Sequence, residues 1–459
     1  ECSADGQAAT VAETCNEAAG EICQAGECVS LCNIAEDQAS SIGCKFYSVD
    51  MEQNHDNPTE PFAIAVSNVH DTIMARVVVE TKTGATWNLF RQVDVAPEGL
   101  TVVEFPNAEI VGSGLGAGYA YRVTSNIPVI AYQFNPLNGT SSYTTDASLM
   151  LPASAFDTIY RVPAWGSQYG NSSINVVAEL DGTQVVITPT AATTAGTGVP
   201  AGQPGVAMAP ITLDEGDVLQ VSSPVNTSLD GSLIEATQRV GVFAGNQCAN
   251  IPTSCYACDH VEEQIFGLQT WGTEYLASQL PSRTNPPEYA IWHVMAGEVA
   301  TTLTFSADAG VSGVPAQPVT LVPGQSIELT VQGSGNVLGD FYVTGTEAFL
   351  VTQYMIGSSC AGYTGDPCMI QAVPIEQYLD NYVVLVPSSW VIDKMTITRE
   401  PGTTVTVDGT DVNSWPIWSE VGTVAGIFEV VRLQVEDGIH VLEGSAPFGV
   451  QVVGYDDYD

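Results

Sequence analysis

One recurrence constrains this chain more than any other feature. Tyr160 of IYRVPAW, Tyr275 of EYLASQL and Tyr382 of NYVVLVP stand 115 and 107 residues apart, and Phe46 of KFYSVD lies 114 before the first. Four residues ahead of each tyrosine is another aromatic (Phe156, Trp271, Tyr378), and eight ahead is Pro152, Gly267 or Pro374. A segment ending in glutamine (Gln133, Gln247, Gln353) leads each tyrosine by 27 to 29 residues. Self-similarity at a fixed period means that one structural unit is used several times. A period of about 110 residues matches an immunoglobulin-sized sandwich of six or seven strands.

Between these landmarks the pattern is alternation. SINVVAEL, TQVVITP, DVLQVSS, RVGVFAG, TTLTFSA and FGVQVVGY read as strands, with Gly, Pro, Asn and Asp as punctuation. Helical periodicity is almost absent. The expectation is an all-β chain: four tandem β-sandwich-like repeats at 45–136, 137–250, 251–356 and 357–459, stacked as a short rod. A small disulfide-rich module at 1–44 precedes them. A β-propeller is the alternative and would need two blades per repeat. Phe46, Phe156, Tyr160, Trp271, Tyr275, Tyr378 and Tyr382 are assigned to the repeat core, because buried aromatics dominate such cores.

The cysteines fall in three groups: Cys2, Cys15, Cys23, Cys28, Cys32 and Cys44; then Cys248, Cys255 and Cys258; then Cys360 and Cys368. A 44-residue head with six of them and no Lys or Arg before Lys45 cannot build much of an apolar core, so disulfides must hold it. An oxidising, extracellular compartment follows. The head is expected to pair within itself, Cys255 with Cys258, and Cys360 with Cys368. Eleven is odd. Cys248 is taken as the odd cysteine, buried as a small apolar residue at the end of GVFAGNQ.

Eleven Lys and Arg against 52 Asp and Glu give a net charge of −41. Such a surface repels phosphate, which sets nucleic acid aside as a partner. No apolar run reaches the roughly 18 residues a spanning helix needs, so membrane insertion is not expected. The chain begins at Glu1 rather than Met, which reads as a leader having been removed. No cofactor is implied. Ca²⁺ suits so many carboxylates, Asp456, Asp457 and Asp459 among them, but no EF-hand spacing places it.

The segment CDHVEEQ, from Cys258, offers the most reactive-looking set. Cys255, Cys258 and His260 would suit zinc, and His260 beside Glu262 and Glu263 would suit acid–base work in a metal-dependent hydrolase. Disulfides would forbid the first, and no nucleophile motif accompanies the second. The structural reading is preferred: no catalytic residues, no metal ligands. GSGLGAG (Gly112–Gly118) lacks the lysine of a phosphate loop and reads as a turn. GDPC (Gly365–Cys368) has Cys368 where Asp-Pro self-cleavage favours histidine.

The run CDHVEEQ…TWGTEY, preceded by FAGNQCAN and followed by TTLTF, resembles the N-terminal domain family of the IgG-Fc-binding protein, as a secreted bacterial member. The resemblance spans roughly Lys45 to the C-terminus, and the head looks like the short Cys-rich modules that precede such domains. It implies secretion, disulfides and non-enzymatic structural or adhesive work; the antibody binding in the name belongs to animal members. Two functions are then expected. The first is a secreted structural protein whose partners are copies of itself, assembled into a filament or surface layer. The second is a cell-surface adhesin binding glycan or matrix protein through its long Gln-to-Tyr loops.

Overall fold

The computed structural model describes residues 14–38, 40–53, 61–137, 144–284, 287–386 and 390–456. Beyond the head these form four successive curled sheets, and the class is all-β. Among the described residues no propeller is formed. Cys2 lies outside the described residues, as do Asp457 and Asp459.

Each unit is organised by one long strand: Tyr121–Phe134, Ser232–Ala249, Phe341–Tyr354 or Gly438–Tyr455. Its first half pairs with a short aromatic strand: Gly43–Ser48, Asp157–Val162, Gly272–Ala277 or Leu379–Val386. Its second half pairs with a core strand: Phe62–Asn68, Ser172–Ala178, Ala290–Ala296 or Ile392–Arg399. A register shift in each aromatic pairing lets the sheet curl around its own apolar core. Valine, isoleucine and leucine on alternate positions fill it, as with Ile174, Val176, Val242 and Leu219 in the second unit.

Phe46, Tyr160 and Tyr275 are buried on the aromatic strands, and Tyr382 is half-buried. The hydroxyl explains the tyrosines. Tyr160 accepts the Asp157 N–H at 2.7 Å and donates to the Val240 carbonyl at 2.6 Å. Tyr382 repeats this with Leu379 at 2.9 Å and Phe448 at 2.7 Å. Tyr275 accepts the Gly272 N–H at 3.2 Å. Each bond sits at the register shift, where the ladder leaves backbone groups without strand partners. Phe156 and Trp271 are buried beside them and Tyr378 is half-buried. A Cβ added to Gly241 or Gly449 would come within 2.6 Å of the Phe156 or Tyr378 ring, so both positions require glycine.

The units do not extend into a rod; they close on themselves. Tyr47, Val49 and Met51 of the first pack on Phe156, Val177 and Phe243 of the second. Trp165 and Ile251 meet Ile291, Tyr354 and Ile356 between second and third. Leu276 meets Val424 and Phe428 between third and fourth. Ala63, Ala65 and Phe134 of the first then touch Leu385, Trp390 and Ile439 of the fourth. The glycine-rich segment expected to be a turn contributes to this closure, since Gly114–Gly116 pairs with Val218–Gln220 as an edge strand of the second sheet.

The head is fastened to the first unit. Cys15–Cys28 and Cys32–Cys44 are disulfides, and Cys23 is also disulfide-bonded. Cys44 belongs to the first aromatic strand, and Leu31 packs against the first core.

Candidate functional site

The linkers after the first three long strands, expected to run as surface loops, fold inward instead. Each ends in a short inner strand that pairs with the second half of the long strand before it: Ala147–Met150, Asp259–Gln264 and Met369–Gln371. A long strand with one paired half-edge needs a second partner, and the following linker is the nearest chain. The three inner strands meet at the middle of the ring. Asp146 Oδ2 accepts the Glu262 N–H at 2.8 Å, Asp259 Oδ1 accepts the Thr145 N–H at 3.0 Å, and Gln371 Nε2 donates to the Gln264 carbonyl at 2.9 Å.

A buried amide on each of these three long strands holds this junction. Gln133 accepts the Val49 N–H at 3.2 Å and donates to Glu262 Oε2 at 2.8 Å; Gln353 accepts the Leu280 N–H at 3.2 Å. In the second unit the amide is Asn246, bonded to the Trp165 carbonyl at 2.9 Å, rather than Gln247. Register puts it there: Asn246 faces Val261 as Gln133 faces Ser148 and Gln353 faces Ile370.

The disulfides differ from the expected pairing. Cys248, expected to be the odd cysteine, is bonded to Cys258, because the Ala249–Asp259 pairing brings the two ends together at a Cα separation of 5.0 Å. Cys255 is bonded to Cys360 rather than Cys258. Its loop lies under the turn opened by Gly357, whose N–H donates to the Ile251 carbonyl at 2.8 Å. Cys368, expected to pair with Cys360, is therefore a free cysteine and lines the central cleft. With Cys255 and Cys258 oxidised, the zinc set Cys255, Cys258 and His260 does not exist. Among the described residues no group of three or more His, Cys, Asp and Glu is arranged to hold a metal.

His260 is fully buried; its Nε2 lies 3.5 Å from Asn135 Nδ2, and burial pulls its pKa down to about 4. Glu262 bonds to Gln133, and both His260 and Glu262, weighed above as an alternative acid–base pair, are fully buried. Carboxyl groups crowd the same space. Burial, opposed by bonds from the Glu262 and Ala147 N–H groups, lifts Asp146 to about 8. Asp259, Glu262 and Glu263 are raised well above their usual range, by burial first and then by neighbouring carboxylates. Burying several carboxyl groups in one space disfavours their charged forms, and a cation brought to them would favour ionisation again. Asp146, Glu263 and Asp366 keep part of their surface open to a cleft walled by Phe134, Leu280, Met355, Trp390 and Val452–Gly454.

Tandem curled β units, cross-linked by disulfides around an acidic junction, define a non-membrane-helix, all-β class of protein; no described helix is long and apolar enough to cross a membrane. The chain belongs to the IgGFc binding protein family, whose sequence model matches residues 146–454. The human IgGFc-binding protein is 27% identical over 372 residues, which cover 80% of this chain but only 6% of that protein. Among solved structures, the cryo-EM structure of the arabinofuranosyltransferase AftD from Mycobacteria aligns over 87% of this chain and 40% of its own. Its 11% identity and TM-score of 0.12 carry no argument.

Proposed function

We propose that this chain is a secreted, non-catalytic binding module of an extracellular layer, with a protein as its partner. The observation that supports it most is the covalently braced ring: Cys255–Cys360 and Cys248–Cys258 stabilise a junction whose acidic cleft stays open. Such bridges persist in oxidising compartments, which fits secretion. The human relative is named for binding IgG Fc, so Fc is one candidate among matrix and serum proteins. The immobilised chain is to be titrated with Fc, matrix glycoproteins and free glycans at physiological salt. Saturable binding of a protein is expected. Capture of glycans alone would turn the reading toward a glycan adhesin.

Self-assembly into a filament or surface layer is a second reading, favoured by Leu89, Leu100, Val102 and Val111, all exposed on the first unit. A net charge of −41 opposes such contacts, so assembly should grow with salt or Ca²⁺. Light scattering and electron microscopy across a salt series test it, and monodisperse particles throughout would remove it.

A further inference from the structure

Three of the four long strands carry an inner strand on their second edge; among the described residues the fourth does not. Pairing with the core strands fixes the equivalent positions: Ile64 faces Gln133, Ser172 faces Asn246, Trp292 faces Gln353 and Met395 faces Val452. Across the other edge the first three meet Ser148, Val261 and Ile370. Among the described residues no strand pairs with Val452 on that side.

The cleft lies where that strand would be. Val452, Val453 and Gly454 form one wall, with the Trp390 ring against Gly454, and Asp146, Glu263 and Asp366 stand opposite. Its interior volume is about 90 Å³, and it opens to solvent, so an incoming chain would lie along its mouth with side chains reaching in. The resident inner strands are only three to six residues long, so a short segment suffices. An unpaired strand edge offers its N–H and C=O groups to an incoming chain, and pockets beside it select the side chains.

We propose that this cleft receives an extended segment of a partner protein, which adds to the edge 450–455 as the missing inner strand and sets a lysine or arginine against Asp146, Glu263 and Asp366. Charge selects that occupant. Among the described residues the lining has three carboxyl groups and no Lys or Arg. Arg283, close by, is engaged by Glu288 and by the Gly365 and Ile356 carbonyls. Phe134, Leu280 and Met355 accept the apolar residues that alternate with the cation. A second copy of this chain, with 11 basic residues against 52 acidic, is poorly matched.

The inference rests on the binding-module reading, and its test is separate from that one. A fluorescein-labelled pentapeptide of alternating lysine and valine is titrated by anisotropy, beside the same peptide with glutamate for lysine, and amide exchange is followed at 450–455. The lysine peptide should bind saturably and slow exchange at that edge. Glu263→Gln and Asp366→Asn should each weaken it about tenfold with the fold intact by circular dichroism, the worth of one charge-assisted contact. Equal binding of both peptides, protection elsewhere, or no binding overturns the proposal. Concentration-dependent protection of the same amides without peptide also overturns it, in favour of a second copy. A protein partner that binds while these amides exchange freely overturns the cleft assignment alone and leaves the binding-module reading standing.

Discussion

The two ends of each long strand solve different problems. At the aromatic end of the second and fourth units, one tyrosine hydroxyl meets an N–H and a carbonyl left by a register shift, wholly within one unit. At the inner end, amides and carboxyl groups from different units share one buried space, and among the described residues Glu262 Oε1 has no hydrogen-bond partner. The first arrangement recurs because it depends only on the unit. The second is built once, from ASLM, DHVEEQ and MIQ, three sequences with little in common. Local order can be copied along a chain; a junction has to be fitted.

The sharpest contrast comes from deleting a buried ring. Tyr275→Ala should lower stability by about 3–5 kcal/mol, as large-to-small core changes do, measured by urea denaturation. A loss below about 1 kcal/mol would break the claim that the aromatic end anchors each unit.

Covalent bracing of the inner end comes next. Cys360→Ser opens a bridge that spans 105 residues, and should cost roughly 2–4 kcal/mol under non-reducing conditions. An unchanged denaturation midpoint would show that packing alone holds the junction.

Titration separates the two ends further. Asp146 titrates near 8 in the folded chain and near 4 when unfolded. The folded state therefore keeps a proton that the unfolded state releases, and stability should fall as pH rises from about 4 to about 8, by on the order of 1 kcal/mol per unit. His293 acts in the same direction: burial would lower its pKa, but Asp230 and Glu328 lift it to about 9. Its contribution is whole below about 6.5 and is lost as pH rises through 9. Melting curves of wild type, Asp146→Asn and His293→Gln assign the slope. A melting temperature that climbs from pH 5 to pH 8 would break the protonated-junction account.

The smallest effect sharpens the role of the hydroxyl. Tyr160→Phe should cost about 1 kcal/mol by removing a hydrogen bond while keeping the ring. The first unit manages with Phe46, so a loss near zero would reduce the hydroxyl to an ornament of packing.

These contrasts track what could be read beforehand. The aromatic end was legible because Tyr160, Tyr275 and Tyr382 keep both spacing and companions. The inner end was not. Its strands are short, and buried Asp259, His260 and Glu262 defy the alternation by which strands are recognised. Gln247 misled by one residue, since both an asparagine and a glutamine end that strand and only register shows that Asn246 points inward. An odd cysteine total was readable, but Cys248 and Cys368 exchange roles because pairing follows spatial neighbours that sequence distance conceals. Contact of Ala63 and Phe134 with Leu385 and Trp390 joins the first unit to the last, and no local pattern announces it.

The Cys255–Cys360 bridge has a mechanical meaning. It ties the linker before the third aromatic strand to the turn after the third long strand, so residues 256–359 form a covalent loop. Tension applied at the two termini passes through the sulfur atoms and bypasses that unit. Under load the first, second and fourth units can lengthen while the third stays slack and folded. A protease that cuts inside the loop would release no fragment until a reductant arrives. One bond thereby gives the middle of the chain both a strain relief and a safety catch.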